Sequence, residues 1–264
     1  MIEIPKLDFD NIAKEITEFI KKIVKTACAD GVVVGLSGGV DSSVVVALCV
    51  RALSNARVLG ILMPTEFTPE EDIKDANHIA NWLGIRTEFL NIQPISEIFF
   101  KNLNTDKNDH KQRIPMANLY ARTRMIILYY YANLNNYLVA GTGDRSEDLI
   151  GYFTKYGDGG VDFLPIGHLY KTQVRQLAKH LGIPEKVVNK PSSPQLYPGH
   201  KATDEIPVSY EKLDPMLVGL FDKKFSSDKV SQLTGISIDT ISEILYRFNK
   251  SRHKRTYPWM LREW

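Results

Sequence analysis

Val32-Val33-Val34-Gly35-Leu36-Ser37-Gly38-Gly39-Val40-Asp41-Ser42-Ser43 is the stretch on which the fold turns. Its apolar opening predicts a strand buried on both faces, the habit of parallel sheets. Small residues follow as a tight turn, and residues 41–53 predict the next helix. In an open parallel sheet, ligands bind beyond the carboxyl ends of the strands. Gly35, Leu36, Ser37, Gly38, Gly39, Val40, Asp41 and Ser42 therefore form a candidate phosphate cradle. Its glycines let backbone N–H groups come close, its serines add hydroxyl donors, and the helix N-terminus adds a favourable dipole. Asp41 suits such a place if a divalent cation lies between carboxylate and phosphate. The plainer alternative is a strand-to-helix turn capped by an aspartate. The string is not a Walker A loop, because no Gly-Lys-Ser/Thr follows.

Working outward, Ile12, Ile16, Phe19, Ile20 and Ile23 recur at helical spacing and predict a helix over 8–29. Residues 57–63, 86–92 and 137–140 read as three more strands. Helices are expected at 69–83, 94–102, 117–134, 171–181, 226–234 and 238–250. Thr68-Pro69-Glu70-Glu71 reads as a helix start with Thr68 as its capping hydroxyl. The 117–134 helix is apolar nearly all round and is expected to be buried on several sides, whereas 103–114 is polar and reads as a mobile loop. Strands alternating with helices predict an α/β fold: a Rossmann-like parallel sheet with helices on both faces. The whole chain, 1–264, reads as one domain. Segments 151–168 and 189–209 lack periodicity and are expected to be lid-like loops. The tail, 250–264, is basic through Lys250, Arg252, Lys254, Arg255 and Arg262.

Composition narrows the class without choosing a substrate. The 264 residues carry 33 Lys+Arg against 31 Asp+Glu, a net charge of +2, with 44% apolar and 24% charged residues. That excludes a disordered chain and gives no overall reason to expect nucleic-acid or membrane binding. No apolar run reaches the roughly 18 residues of a membrane span. Neither Cys28 nor Cys49 sits in a CxxC pair, which fits a reducing compartment. With no leader-like N-terminus, the expected location is the cytoplasm.

Another informative region lies just past the fourth strand: Gly141-Thr142-Gly143-Asp144-Arg145-Ser146-Glu147, continuing as Gly151-Tyr152-Phe153-Thr154-Lys155-Tyr156-Gly157-Asp158-Gly159-Gly160-Val161-Asp162-Phe163-Leu164-Pro165. Glu147 should emerge at the sheet edge that carries Asp41, and two such carboxylates could hold Mg²⁺. The glycine- and serine-rich string at 35–43 resembles the SGGxDS pyrophosphate loop of the N-type ATP pyrophosphatases, whose fold is adenine nucleotide alpha hydrolase-like. The 151–165 string closely resembles a motif of the NAD synthetase family. The resemblance extends to Asn118-Leu119-Tyr120-Ala121-Arg122-Thr123-Arg124-Met125, to Leu169-Tyr170-Lys171-Thr172-Gln173-Val174-Arg175 and to His253-Lys254-Arg255.

The resemblance implies ATP-dependent amidation of deamido-NAD by ammonia through an adenylated intermediate, giving NAD, AMP and pyrophosphate. It implies that Gly35 to Ser42, Arg124, Thr142, Lys171 and Ser193 bind ATP. Arg122, Lys155, Asp162, His253 and Lys254 would contact deamido-NAD, and Asp41 and Glu147 would ligate Mg²⁺. Asp158 would orient or deprotonate ammonium, and Lys171 would act near the departing phosphates. A homodimer is implied as well. The length leaves no room for an added amidase domain, so the ammonia-dependent form is expected, with a separate glutaminase left open as a source of ammonia. Taken singly, Arg122 and Arg124 could be surface charges, Glu147 a first-turn acid, Asp162 a turn residue and Lys171 the start of a solvated helix face. Another ATP pyrophosphatase, such as the synthetase portion of a GMP synthetase, would leave the 152–165 string unexplained. A non-catalytic nucleotide sensor would be expected to lack the metal carboxylates. An RNA-binding reading of the basic tail is weaker still.

Overall fold

The computed structural model describes residues 2–106, 108–193, 197, 205–258 and 260–261. Strand β1 (Gly31–Gly35) lies between β2 (Val58–Leu62) and β4 (Tyr137–Val139), and β3 (Arg86–Phe89) pairs with β2 on its far side, all parallel. The order is thus β3-β2-β1-β4. Period-2 alternation explains why β1 is apolar throughout. Val32 and Val34 enter one core with helices α1 (Phe9–Thr26), α2 (Val40–Leu53), α3 (Glu70–Leu83) and α7 (Lys171–His180). Val33 enters another with α4 (Gln93–Asn102) and α5 (His110–Asn135). Helices cover both faces, as the sequence pattern requires. The β3 edge is fully exposed and short, and it carries Arg86 and Glu88, which discourages further strand pairing.

A third buried cluster joins α6 (Arg145–Ile150) to three C-terminal helices: α9 (Tyr210–Leu217), α10 (Ser227–Thr234) and α11 (Ile238–Lys250). A short helix, α8 (Glu185–Val188), follows α7. The fully buried Asp214 ties α9 to α6 and α7. It accepts hydrogen bonds from Ser146 Oγ (2.6 Å), Thr172 N (2.8 Å) and Thr172 Oγ1 (2.7 Å).

Several sequence expectations are corrected. Thr68 does not cap α3; Pro69 is the N-cap, and the Thr68 hydroxyl pairs with Thr65 N and Thr65 Oγ1 at 3.0 Å. The proline holds the extended backbone there, so no side-chain cap is used. The loop expected over 103–114 is already helical from His110, because Asp109 caps it by accepting from Lys111 N. Helix α5 is not buried on several sides. Ile126, Tyr130 and Leu134, one turn apart, are 56%, 62% and 66% exposed. The third strand stops at Phe89. Part of 189–209 falls outside the described residues, as do Trp259, Arg262 and Trp264.

Replacing Asp214 by Ala strands one buried and two part-buried donors. Stability in urea titrations should fall by roughly 3 kcal/mol; a loss below about 1 kcal/mol would mean the lobe is held by apolar packing alone.

Candidate active site

Strands β2 and β3 lie to one side of β1 and β4 to the other, so the chain changes direction between β1 and β4. A crevice must open there, beyond the strand ends. It is a cleft of about 570 Å³ bordered by the β1–α2 loop, the turn after β4, α5 and the 189–193 segment. That volume suits a small-molecule ligand.

The β1–α2 loop is stiffened from within. Ser37 N donates to Ser42 Oγ (3.4 Å), Gly39 N donates to Ser37 Oγ (3.3 Å), and Ser43 Oγ donates to Gly39 O (2.8 Å). Gly38 has φ +74°, and a β-carbon there would sit 2.2 Å from the backbone oxygen of Asp72. Only glycine lets the loop lie against α3. Lys190 fastens the same wall, its Nζ reaching Gly38 O (3.1 Å), Asp72 Oδ1 (2.6 Å) and Asp75.

Beneath the loop is an ionic cluster. Lys171, at the first position of α7, has no exposed side-chain surface. Its Nζ lies 2.8 Å from each of Asp41 Oδ2, Asp144 Oδ2 and Glu147 Oε1. Asp144 and Glu147 are placed by a capping box at the start of α6. Burial pushes the Asp144 carboxyl up to about 6, against the lowering pull of Lys171. Burial, then the charge of Asp144, pushes Glu147 to about 8. Lys171 is held well above its ordinary range because three anions outweigh its own desolvation. Asp41 Oδ1 is buried with no hydrogen-bond partner among the described residues.

The cleft brings together most of the residues singled out from sequence: the cradle except Gly38, together with Arg124, Thr142, Glu147, Asp158, Ser193 and Lys254. Arg124 Nε donates to Met63 O (3.2 Å), and burial lowers its guanidinium to about 10. Asp158 is exposed, but desolvation by the protein around its carboxyl raises it; Thr154 N donates to its Oδ1 at 2.8 Å. Lys254 Nζ donates to Gly151 O (2.8 Å) and Phe153 O (2.6 Å).

Arg122, Lys155, Asp162 and His253 do not line the cleft. They are linked outside it: Arg122 donates to Lys155 O (3.3 Å), and Lys155 Nζ donates to His253 O (2.6 Å). Asp162 latches the loop to the sheet, accepting from Val139 N (2.7 Å) and Tyr129 OH (3.1 Å). Sequence reasoning missed Asp144, although Asp144-x-x-Glu147 is a legible capping box. It also missed Lys190 and Tyr210, which no local pattern marks.

Between their ordinary values near 4 and the values reached on burial, both cluster carboxyls hold more protons in the folded protein than in the unfolded chain. Stability without divalent cations should therefore decline as pH rises from about 4 to about 8. Asp144→Asn should flatten that decline in thermal-melt profiles, by removing one titrating group and the charge that lifts Glu147. An unchanged slope would count against this account of the cluster.

A family model described as NAD synthase matches residues 12–258. An NH(3)-dependent NAD(+) synthetase of Hyperthermus butylicus is 51% identical over 257 residues, covering 97% of this chain and 92% of that one. A solved NH3-dependent NAD synthetase from Campylobacter jejuni subsp. jejuni superposes with a TM-score of 0.80 at 32% identity, covering 97% and 100% of the two chains. The structure of an NMN synthetase from Francisella tularensis superposes with a TM-score of 0.84 at 29% identity, covering 97% and 99%.

Proposed function

This chain belongs to the NAD synthase family, and from that premise we propose how its cleft divides the work. The reaction is ATP-dependent amidation of deamido-NAD by ammonia, the last step of NAD biosynthesis. A carboxylate oxygen of the nicotinate ring forms a bond to the α-phosphorus, and pyrophosphate departs. Ammonia then bonds to the acyl carbon, AMP departs, and nitrogen loses a proton. The carrying observation is the convergence of Asp41 and Glu147, from two different strand ends, on one crevice floor.

The cradle from Gly35 to Ser42 holds the triphosphate through backbone N–H groups and hydroxyls. Arg124, Thr142 and Ser193 complete the ATP side. Asp41 and Glu147 fit Mg²⁺: they are hard oxygen donors held to a common point, and Asp41 has a buried oxygen without a partner among the described residues. Among the described residues no group of three or more His, Cys, Asp or Glu is arranged to hold a metal ion by itself. Two carboxylates plus phosphate oxygens make a fitting coordination set. Bound there, Mg²⁺ would offset charge on the departing pyrophosphate. Lys171 supplies fixed positive charge from below the floor. Asp158, with its carboxyl raised, takes the proton from ammonium. Arg122, Lys155, Asp162, His253 and Lys254 hold the dinucleotide, and a second copy packing on the exposed Ile126, Tyr130 and Leu134 face of α5 would form the dimer.

The assay supplies ATP, Mg²⁺, ammonium and deamido-NAD and reads NAD and AMP by chromatography; equal yields of the two are expected, and absence of NAD overturns the reading. The likeness to an NMN synthetase makes nicotinate mononucleotide the competing substrate to include. Asp41→Ala and Glu147→Ala should each lower kcat by about 10²-fold or more. Asp158→Asn should slow NAD formation more than ATP–pyrophosphate exchange; equal losses would remove Asp158 from the amidation step.

A further inference from the structure

Tyr210 opens α9 immediately beyond the 189–209 segment and borders the cleft. The residue is 7% exposed, and its hydroxyl is buried without a hydrogen-bond partner among the described residues. Its ring centre lies 5.4 Å from Lys171 Nζ, which places the side chain beside the ionic cluster. Native structures seldom leave a buried hydroxyl unsatisfied, and an exception calls for an explanation such as a bound group. Filling space would not explain it, because phenylalanine would fill the same volume without the stranded oxygen.

The position is held firmly. One turn along α9, Asp214 is fixed by its three hydrogen bonds to Ser146 and Thr172. Nor is Tyr210 isolated. Asp41 Oδ1 and Ser192 Oγ are also buried without partners among the described residues, and both residues border the same cleft. All three residues border the cleft that the cradle also lines. A phenol beside Asp41, Asp144 and Glu147 keeps its proton, because burial and nearby negative charge oppose phenolate formation. It can therefore donate.

Resting on the nucleotide reading above, we infer that the Tyr210 hydroxyl is a further substrate-binding group, donating a hydrogen bond to an anionic phosphate oxygen of ATP. Tyr210 opens α9 and borders the cleft, so the contact would tie α9 to the ligand.

The test is Tyr210→Phe, which removes one oxygen and no volume. Because that oxygen has no partner among the described residues, the ligand-free melting temperature should stay the same or rise slightly. Binding of ATP with Mg²⁺, measured by titration calorimetry without deamido-NAD so that no turnover occurs, should weaken about tenfold or more, as expected for a lost bond to a charged group. The KM for ATP should rise in parallel. Wild-type affinity and KM in Tyr210→Phe would overturn the inference. So would a clear drop in the free protein's melting temperature, which would reveal a structural partner for the hydroxyl. If the wild-type chain itself neither binds ATP nor makes NAD, the reaction reading fails and takes this inference with it; if the wild type does both, failure is confined to Tyr210.

Discussion

A single ammonium group, that of Lys171, is surrounded by Asp41, Asp144 and Glu147. Taking these charges out of water is costly, and the cost is offset only because every partner sits at bonding distance. The four side chains arrive from the first turn of α2, the turn after β4, α6 and α7. Their meeting therefore fixes how the two halves of the sheet's upper edge approach each other. Three acids against one base also leave the floor rich in negative charge, so a phosphate ligand needs a cation between itself and those oxygens.

The walls depend on different physics. On the α3 side, the absence of a side chain at Gly38 permits a backbone-to-backbone approach, and Lys190 pins it. On the far side, Asp214 secures α9 through neutral donors and so sets where Tyr210 stands. The residues assigned to the dinucleotide fall into two places. Lys254 faces the cleft, while Arg122, Lys155, Asp162 and His253 form a linked group outside it. That division suits an elongated substrate with one end in the crevice and the other lying across the surface.

Local and periodic features were the readable ones. β1 and its loop, the alternation of strands and helices, and the meeting of Asp41 with Glu147 follow from burial on two faces and from parallel topology. What escaped reading depends on distance along the chain. Asp144 has the sequence character of a loop residue because its burial is decided by Lys171, 27 positions away. Tyr210 gave no hint because it belongs to the buried stripe of α9 with Leu213, Met216 and Leu217, and its polar surroundings come from α6 and α7. The exposed stripe of α5 misled in the opposite sense: an all-round apolar pattern says that a surface wants cover, not that this chain supplies it.

Lys254 grips the 151–153 loop through two main-chain carbonyls, those of Gly151 and Phe153, and its ammonium also lies 5.1 Å from the centre of the Phe153 ring. Any residue offers a carbonyl, yet position 151 has φ +67° and a β-carbon there would sit 2.2 Å from Ser251 Oγ, so the clasp is closed against every residue but glycine at that point. Mutational drift at this corner is therefore coupled to the end of the chain: a side chain at 151 would have to be matched by a change at Ser251.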